Sequence, residues 1–206
     1  MTTEPETGGT QTSRHYDSPV RRARSVQTRE RIIDAACALM HNRSVRDWGA
    51  VTIRAVAGEA GVNERTVYRY FTNERGLRDA VMHRMEREAG IELDGMQLED
   101  VGDVAARVFS YVSSFPFASK PPLDPTLTEA NLRQRDALHS ALQTWTADWP
   151  AEDAAGVAAV LDVLWSVGAY ERLTADWQMN HEQAVRTLTW AIGLVGQAVR
   201  EGRRPQ

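Results

Sequence analysis

The 206-residue chain has a single cysteine, Cys37, and a single lysine, Lys120, against 23 arginines. One cysteine excludes an internal disulfide framework and agrees with a reducing cytosol. Its neighbours Ala36 and Met40 mark Cys37 as a packing residue on a helix rather than a redox sensor. The lysine shortage is a compositional bias of the kind a high-GC genome produces and carries no mechanism. No apolar run approaches the ~18 residues of a membrane span. The opening M-T-T-E-P-E-T-G-G-T has neither the basic start nor the apolar core of a signal peptide. These absences point to a cytoplasmic protein with no membrane partner.

Enzymatic signatures are missing too. The five histidines, His15, His41, His83, His139 and His181, fall in five separate segments, and none forms a zinc-type pair with another His or a Cys. His83 and Glu86 share a helix face at i, i+3 and read as a solvated pair. There is no G-x-S-x-G, no P-loop and no dinucleotide fingerprint. The sequence therefore predicts no catalytic residue, no metal ligand, no cofactor and no enzyme.

What is present is an uneven charge. Residues 1–90 hold 15 arginines against 12 acidic side chains, a balance of +3; residues 91–206 hold 9 basic against 16 acidic, a balance of −7, giving the net −4. A basic module joined to an acidic remainder is the charge pattern of a nucleic-acid-binding element attached to a domain with another task.

The basic part contains the most informative stretch, V-T-I-R-A-V-A-G-E-A-G-V-N-E-R-T-V-Y-R-Y-F at 51–71. Ile53, Val56, Ala57 and Ala60 recur at i, i+3, i+4 and i+7, the stripe of an amphipathic helix. Thr52 is positioned to cap it, and a helix start with free N–H groups suits a phosphate. Gly61 stands where a helix ends in a left-handed residue, and Asn63 caps a second helix over Glu64–Tyr70. Helix, glycine turn and short helix outline a helix-turn-helix, whose second helix enters the major groove. With Val67 and Phe71 inward, Arg65 and Arg69 point away, flanked by Thr66 and Tyr70 on one side and Tyr68 on the other. Arginine grips guanine bidentately and a threonine methyl packs on thymine; tyrosine hydroxyls bind phosphates and fix register. An amphipathic hairpin with a solvated arginine face has the same charge but not the same turn chemistry.

At these residues the sequence resembles the TetR-type (tetracycline-repressor-like) bacterial transcriptional regulators. The resemblance is carried by T-R-E-R-I-I-D-A-A at 28–36, V-T-I-R-A-V-A at 51–57, A-G-V-N-E-R-T-V-Y-R-Y-F at 60–71 and Leu77, and it covers roughly residues 25–82. It implies an all-helical dimer with an N-terminal three-helix DNA-binding domain and a larger domain that binds an inducer and dimerises. By position it implies base contacts from Arg54, Glu64, Arg65 and Thr66, and phosphate contacts from Thr52, Tyr68 and Tyr70. Asn63 and Arg69 complete the DNA-facing set. One position departs from the pattern: a lysine that contacts phosphate usually stands three residues past the phenylalanine. Here that residue is Glu74, followed by Arg75, so the contact shifts to Arg75 or is absent.

The organisation expected along the chain is a disordered basic arm at 1–24, with Arg21, Arg22 and Arg24; a helix-turn-helix domain at 25–72; and a helical effector-binding and dimerisation domain at 73–206. Helices are expected at 26–42, 73–93, 98–115, 128–149, 151–175 and 181–201, with Pro116, Pro121, Pro122 and Pro125 breaking the pattern. The arginine cluster either reaches phosphates or a minor groove or is a solubilising tail. The glycines at 168, 193 and 196 fall inside the last two expected helices, where each costs ~1 kcal/mol against alanine. Close approach of two backbones is the simplest reason, and the resemblance implies that the last two helices pair with those of a second copy, so Gly168, Gly193 and Gly196 are dimer-interface candidates; glycines tolerated on a monomer surface are the alternative. Met82, Met85, Phe109, Trp145 and Trp165 are the candidates for lining an apolar effector pocket. The partners expected are thus a double-stranded DNA operator, a second copy of the chain and a small-molecule effector. A helical interaction protein using the helix-turn-helix as a scaffold remains the second class; salt-dependent, sequence-specific DNA binding separates the two.

Overall fold

Short polar side chains start most of the helices. The computed structural model describes residues 19–45, 47–116 and 124–205. Its helices are α1 Pro19–His41, α2 Ile53–Glu59, α3 Glu64–Tyr70, α4 Glu74–Glu88, α5 Val101–Ser113, α6 Pro125–Leu142, α7 Ala151–Leu164, α8 Val167–Ala175 and α9 His181–Arg200. No strand occurs among the described residues. The fold is all-α. Side-chain oxygens of Thr52, Asn63, Asn73, Asp124, Ser166 and Asn180 accept from first-turn N–H groups of α2, α3, α4, α6, α8 and α9.

The turn between α2 and α3 closes as its residues dictate. Gly61 lies at φ +62°, its N–H donates to Gly58 O at 3.2 Å, and Val62 N–H donates to Ala57 O at 2.9 Å. This is the paired closure of a Schellman end, which satisfies two carbonyls at once.

The chain forms two compact units, Met1–Lys120 and Pro121–Gln206. In the first, Ile32, Ile33, Ala36 and Met40 of α1 pack with Val56 and Ala57 of α2, Val67 of α3, and Leu77, Val81 and Met85 of α4. Phe115 closes this core, its ring stacked on His41 at 4.6 Å. Cys37 is buried in it, and burial pushes its thiol up to about 11, so it stays protonated and unreactive. In the second unit, α6 and α9 pack on α7 and α8 on α9, around the smaller core of Leu142, Val157, Ala158 and Val199.

Several boundaries differ from those read in the sequence, each for a local reason. Helix α1 already begins at Pro19, so Arg21, Arg22 and Arg24 ride on its first turns rather than in a disordered arm. Proline with its fixed φ suits a first helical position; residues 1–18 of the expected arm lie outside the described residues. Helix α4 stops at Glu88 because Gly90, at φ +65°, lets Ile91 N–H reach Glu86 O at 2.8 Å. Pro125 starts α6 rather than delaying it, with Asp124 as cap. That helix ends at Leu142, where the buried Thr146 hydroxyl donates to the Leu142 carbonyl at 3.1 Å. The helix expected over 151–175 is two, bent by 48°, because Ser166 caps a new start. Gly168 therefore sits in the first turn of α8 and not in a helix interior.

Candidate nucleic-acid interface

Helix α3 is short, and only Val67 of it is buried. Val67 and Phe71 pin it to the core, which fixes the opposite face outward. Asn63, Arg65, Thr66, Tyr68 and Arg69 line one open surface cleft on that face. Asn63 spends its side-chain oxygen on Arg65 N–H at 2.8 Å, so capping is its first duty. Glu64 is exposed in the first turn of α3, and Arg54 is exposed on α2.

Tyr70 is turned differently from Tyr68. Tyr68 is 54% exposed, whereas the Tyr70 ring packs against the core. Its hydroxyl accepts from Ser25 Oγ of α1 at 3.2 Å and from Arg69 at 3.4 Å, and the Arg69 guanidinium sits 5.0 Å from its ring centre. Hydrogen bonds donated to the phenolic oxygen, that from Ser25 foremost, hold the Tyr70 hydroxyl below its ordinary pKa. Tyr70 thus braces Arg69 and α1 as much as it faces outward. Ser25 carries no sequence signal for this contact, which spans 45 residues.

The start of α2 is already occupied. Thr52 caps Ala55 N–H at 3.2 Å, and Ile53 N–H donates to a carboxylate oxygen of Glu74 at 3.2 Å. Arg78 holds the other Glu74 oxygen at 3.4 Å and the Val51 carbonyl at 3.1 Å. The acid that replaces the usual lysine therefore lies, with Arg78, across the beginning of α2. Arg75 projects away, 88% exposed, with Asp79 3.9 Å distant.

Arg84, which the sequence reading passed over, joins α4 to α1. It pairs with Glu30, with Asp34 at 2.7 Å and with Glu88 at 3.7 Å. Its i+4 partner Glu88 was visible in the sequence; Glu30 and Asp34, 54 and 50 residues away, were not. His83 meets Glu86 at 3.1 Å on the surface. Among the described residues no group of three or more His, Cys, Asp or Glu side chains is placed to hold a metal ion.

The pocket candidates lie in both units and are described in each by itself. In the first unit Met85 is spent in the core, while Met82 and Phe109 are exposed. In the second, Trp145 is half exposed, and Trp165 lines an open apolar groove of about 360 Å³ with Val167, Tyr170, Val185, Leu188 and Ile192. Gly193 and Gly196 lie in α9, where a Cβ added at 193 would meet nothing within 4 Å and one at 196 only the tip of Arg200, at 3.4 Å. At Gly168 the nearest atom is Ser166 Oγ, at 3.8 Å. Among the described residues no single helix is long and apolar enough to cross a membrane.

Residues 32–81 match the family described as bacterial regulatory proteins, tetR family. Two curated relatives, both named uncharacterized HTH-type transcriptional regulator, come from two strains of Mycobacterium tuberculosis. Each is 33% identical over 85 residues, which is 41% of this chain and 40% of the relative. The chain thus spans well under half the length of these relatives. No solved structure matches it.

Proposed function

We propose, from the match of residues 32–81 to bacterial regulatory proteins of the tetR family, that the chain carries a helix-turn-helix of that kind and regulates transcription. In this reading it binds a palindromic DNA operator as a homodimer and is released by a small-molecule effector, as a repressor. The observation that carries the reading is the α3 face: Arg65, Thr66, Tyr68 and Arg69 are presented together by a helix that the core fixes in place. A helix of this kind, held by its buried side, is what enters a major groove. Arg54 and Glu64 flank it for further base contacts, and Tyr68 and Tyr70 for phosphates.

The region from 73 onward supplies effector binding and dimerisation in this proposal. Trp165 is the pocket candidate best supported, because its groove is apolar and fits a small hydrophobic or aromatic compound. The exposed Trp190 and Leu194 beside Gly193 support a second copy on α9.

The test starts with selection of bound fragments from the source genome, followed by affinity measurements on the selected operator. Arg65→Ala is expected to cost about 1–3 kcal/mol of operator binding and to relax preference at one base pair. Arg69→Ala is expected to weaken binding with the fold intact, since the side chain is exposed. Wild-type operator affinity in both variants would remove α3 from the groove.

Glu74 gives a second expectation. In Glu74→Lys, Ile53 N–H and Arg78 lose their acceptor, so stability falls by about 1 kcal/mol, the usual cost of a lost helix cap. The new lysine stands beside the start of α2, so a phosphate contact there from each copy of the proposed dimer steepens the salt dependence of DNA binding by ~1.8 in log–log slope. Denaturant titration and fluorescence anisotropy at several salt concentrations read the two effects separately. An unchanged slope would place this end of α2 away from the phosphates.

A further inference from the structure

Helix α1 is longer than its core requires. Its buried residues begin at Ile32, and every side chain from Pro19 to Gln27 is exposed. This overhang carries Arg21, Arg22 and Arg24, and no acidic residue occurs in α1 before Glu30. Cations at the positive end of a helix are unfavourable to the helix itself. Arg21 and Arg24 make no ion pair among the described residues to offset that cost.

The register of α1 against α3 gives the overhang a direction. Arg29 lies with its guanidinium 5.3 Å from the Phe71 ring centre, and Ser25, one turn earlier, donates to the Tyr70 hydroxyl. Arg21 is one further turn along the same helix face, at i−4 from Ser25. A turn of α-helix advances the chain ~6 Å over four residues. The row Arg29, Ser25, Arg21 therefore runs along the end of the recognition helix and past it.

We infer that the first two turns of α1 form a second DNA-contacting element, in which Arg21 and Arg24 bind backbone phosphates flanking the groove that α3 enters. This rests on the DNA-binding reading of α3 and adds a sequence-independent contact to it. Phosphate is the chemistry that matches: the overhang offers guanidinium groups with Val20 and Val26 exposed singly among them rather than as an apolar patch, and it continues the face already proposed for DNA. Such contacts hold the protein in register and read no bases.

The experiment uses the full chain and fluorescence anisotropy on a random-sequence duplex of about 30 base pairs and on the selected operator, from 50 to 200 mM salt. Three proteins are compared: wild type, Arg21→Gln/Arg24→Gln, and a charge-matched control, Arg133→Gln/Arg172→Gln, in the second unit. Each phosphate contact contributes a log–log slope of ~0.9, and the two arginines of both copies in the proposed dimer make four such contacts, so the α1 variant should have a slope shallower by about 3.6. Over this salt range wild type should lose roughly 150-fold more affinity than the α1 variant. The ratio of operator to random affinity should stay unchanged, as should the slope of the control. A slope equal to wild type in the α1 variant overturns the inference and leaves the α3 reading standing, as does an equal loss in the control. A changed operator preference would assign the arginines to bases instead. A wild type without salt-dependent DNA binding overturns both readings.

Discussion

Leu77→Ala is expected to lower the stability of the first unit by about 2–5 kcal/mol, the range for emptying a fully buried leucine site. Leu77 is wholly inaccessible, and it stands with Val81 and Met85 at i, i+4 and i+8 on the inward face of α4. That stripe is what holds α4 against α1. The polar links between the two helices are weaker supports. Arg84 meets Glu30 and Asp34 with carboxylates 39% and 59% exposed, and partly exposed pairs are typically worth ~0–1 kcal/mol each. A loss of 2–5 kcal/mol is a large share of the ~5–15 kcal/mol that holds a typical domain. Chemical denaturation followed by circular dichroism reads it. The transition of the second unit should not move, because its core of Leu142, Val157, Ala158 and Val199 includes no residue of α4. Wild-type stability in Leu77→Ala would mean that α4 is not packed through this stripe.

Features set by residues close in sequence were legible, and features set across long separations were not. Thr52, Gly61 and Asn63 announced the helix-turn-helix because each acts on backbone groups two or three residues away. The Asn73 cap and the Asn180–Gln183 capping box act over the same short range. Ser166 acts equally locally, yet it lies in a long apolar run, where the helical period masks a new start. Pro125 reads as a breaker by itself, but Asp124 ahead of it makes it a helix opener. Glu74 was recognisable as a departure from the resembled pattern. Where its carboxylate goes depended on Ile53, 21 residues earlier, and only the fold brings them together. Met85 shows the limit of periodicity: the stripe says that a face is covered but not by what. In the structure that cover is the core of the first unit.

Gly193→Leu is expected to break a dimer while strengthening the isolated chain. Trp190, Gly193, Leu194 and Gln197 recur at i, i+3, i+4 and i+7 on α9, and all four are exposed. A glycine inside a helix costs about 1 kcal/mol against a good helix former. Nothing among the described residues demands that cost here, since a Cβ at 193 would meet none of their atoms within 4 Å. A second copy whose helix backbone approaches this face would demand it. Leucine should then raise the stability of the monomer by about 1 kcal/mol through helix propensity alone. In a two-fold interface the same substitution enters twice. At about 1–3 kcal/mol for each overpacked side chain, the dimer is weakened by roughly 2–6 kcal/mol, about thirty-fold to twenty-thousand-fold in its dissociation constant. Sedimentation over a concentration series measures that shift, and thermal denaturation at low concentration measures the gain in the monomer. Operator affinity should fall with the dimer, because a single α3 engages one half-site where the pair engages two. Dimerisation as strong as in wild type would exclude this face of α9 as the contact between copies and leave Gly193 without a structural reason.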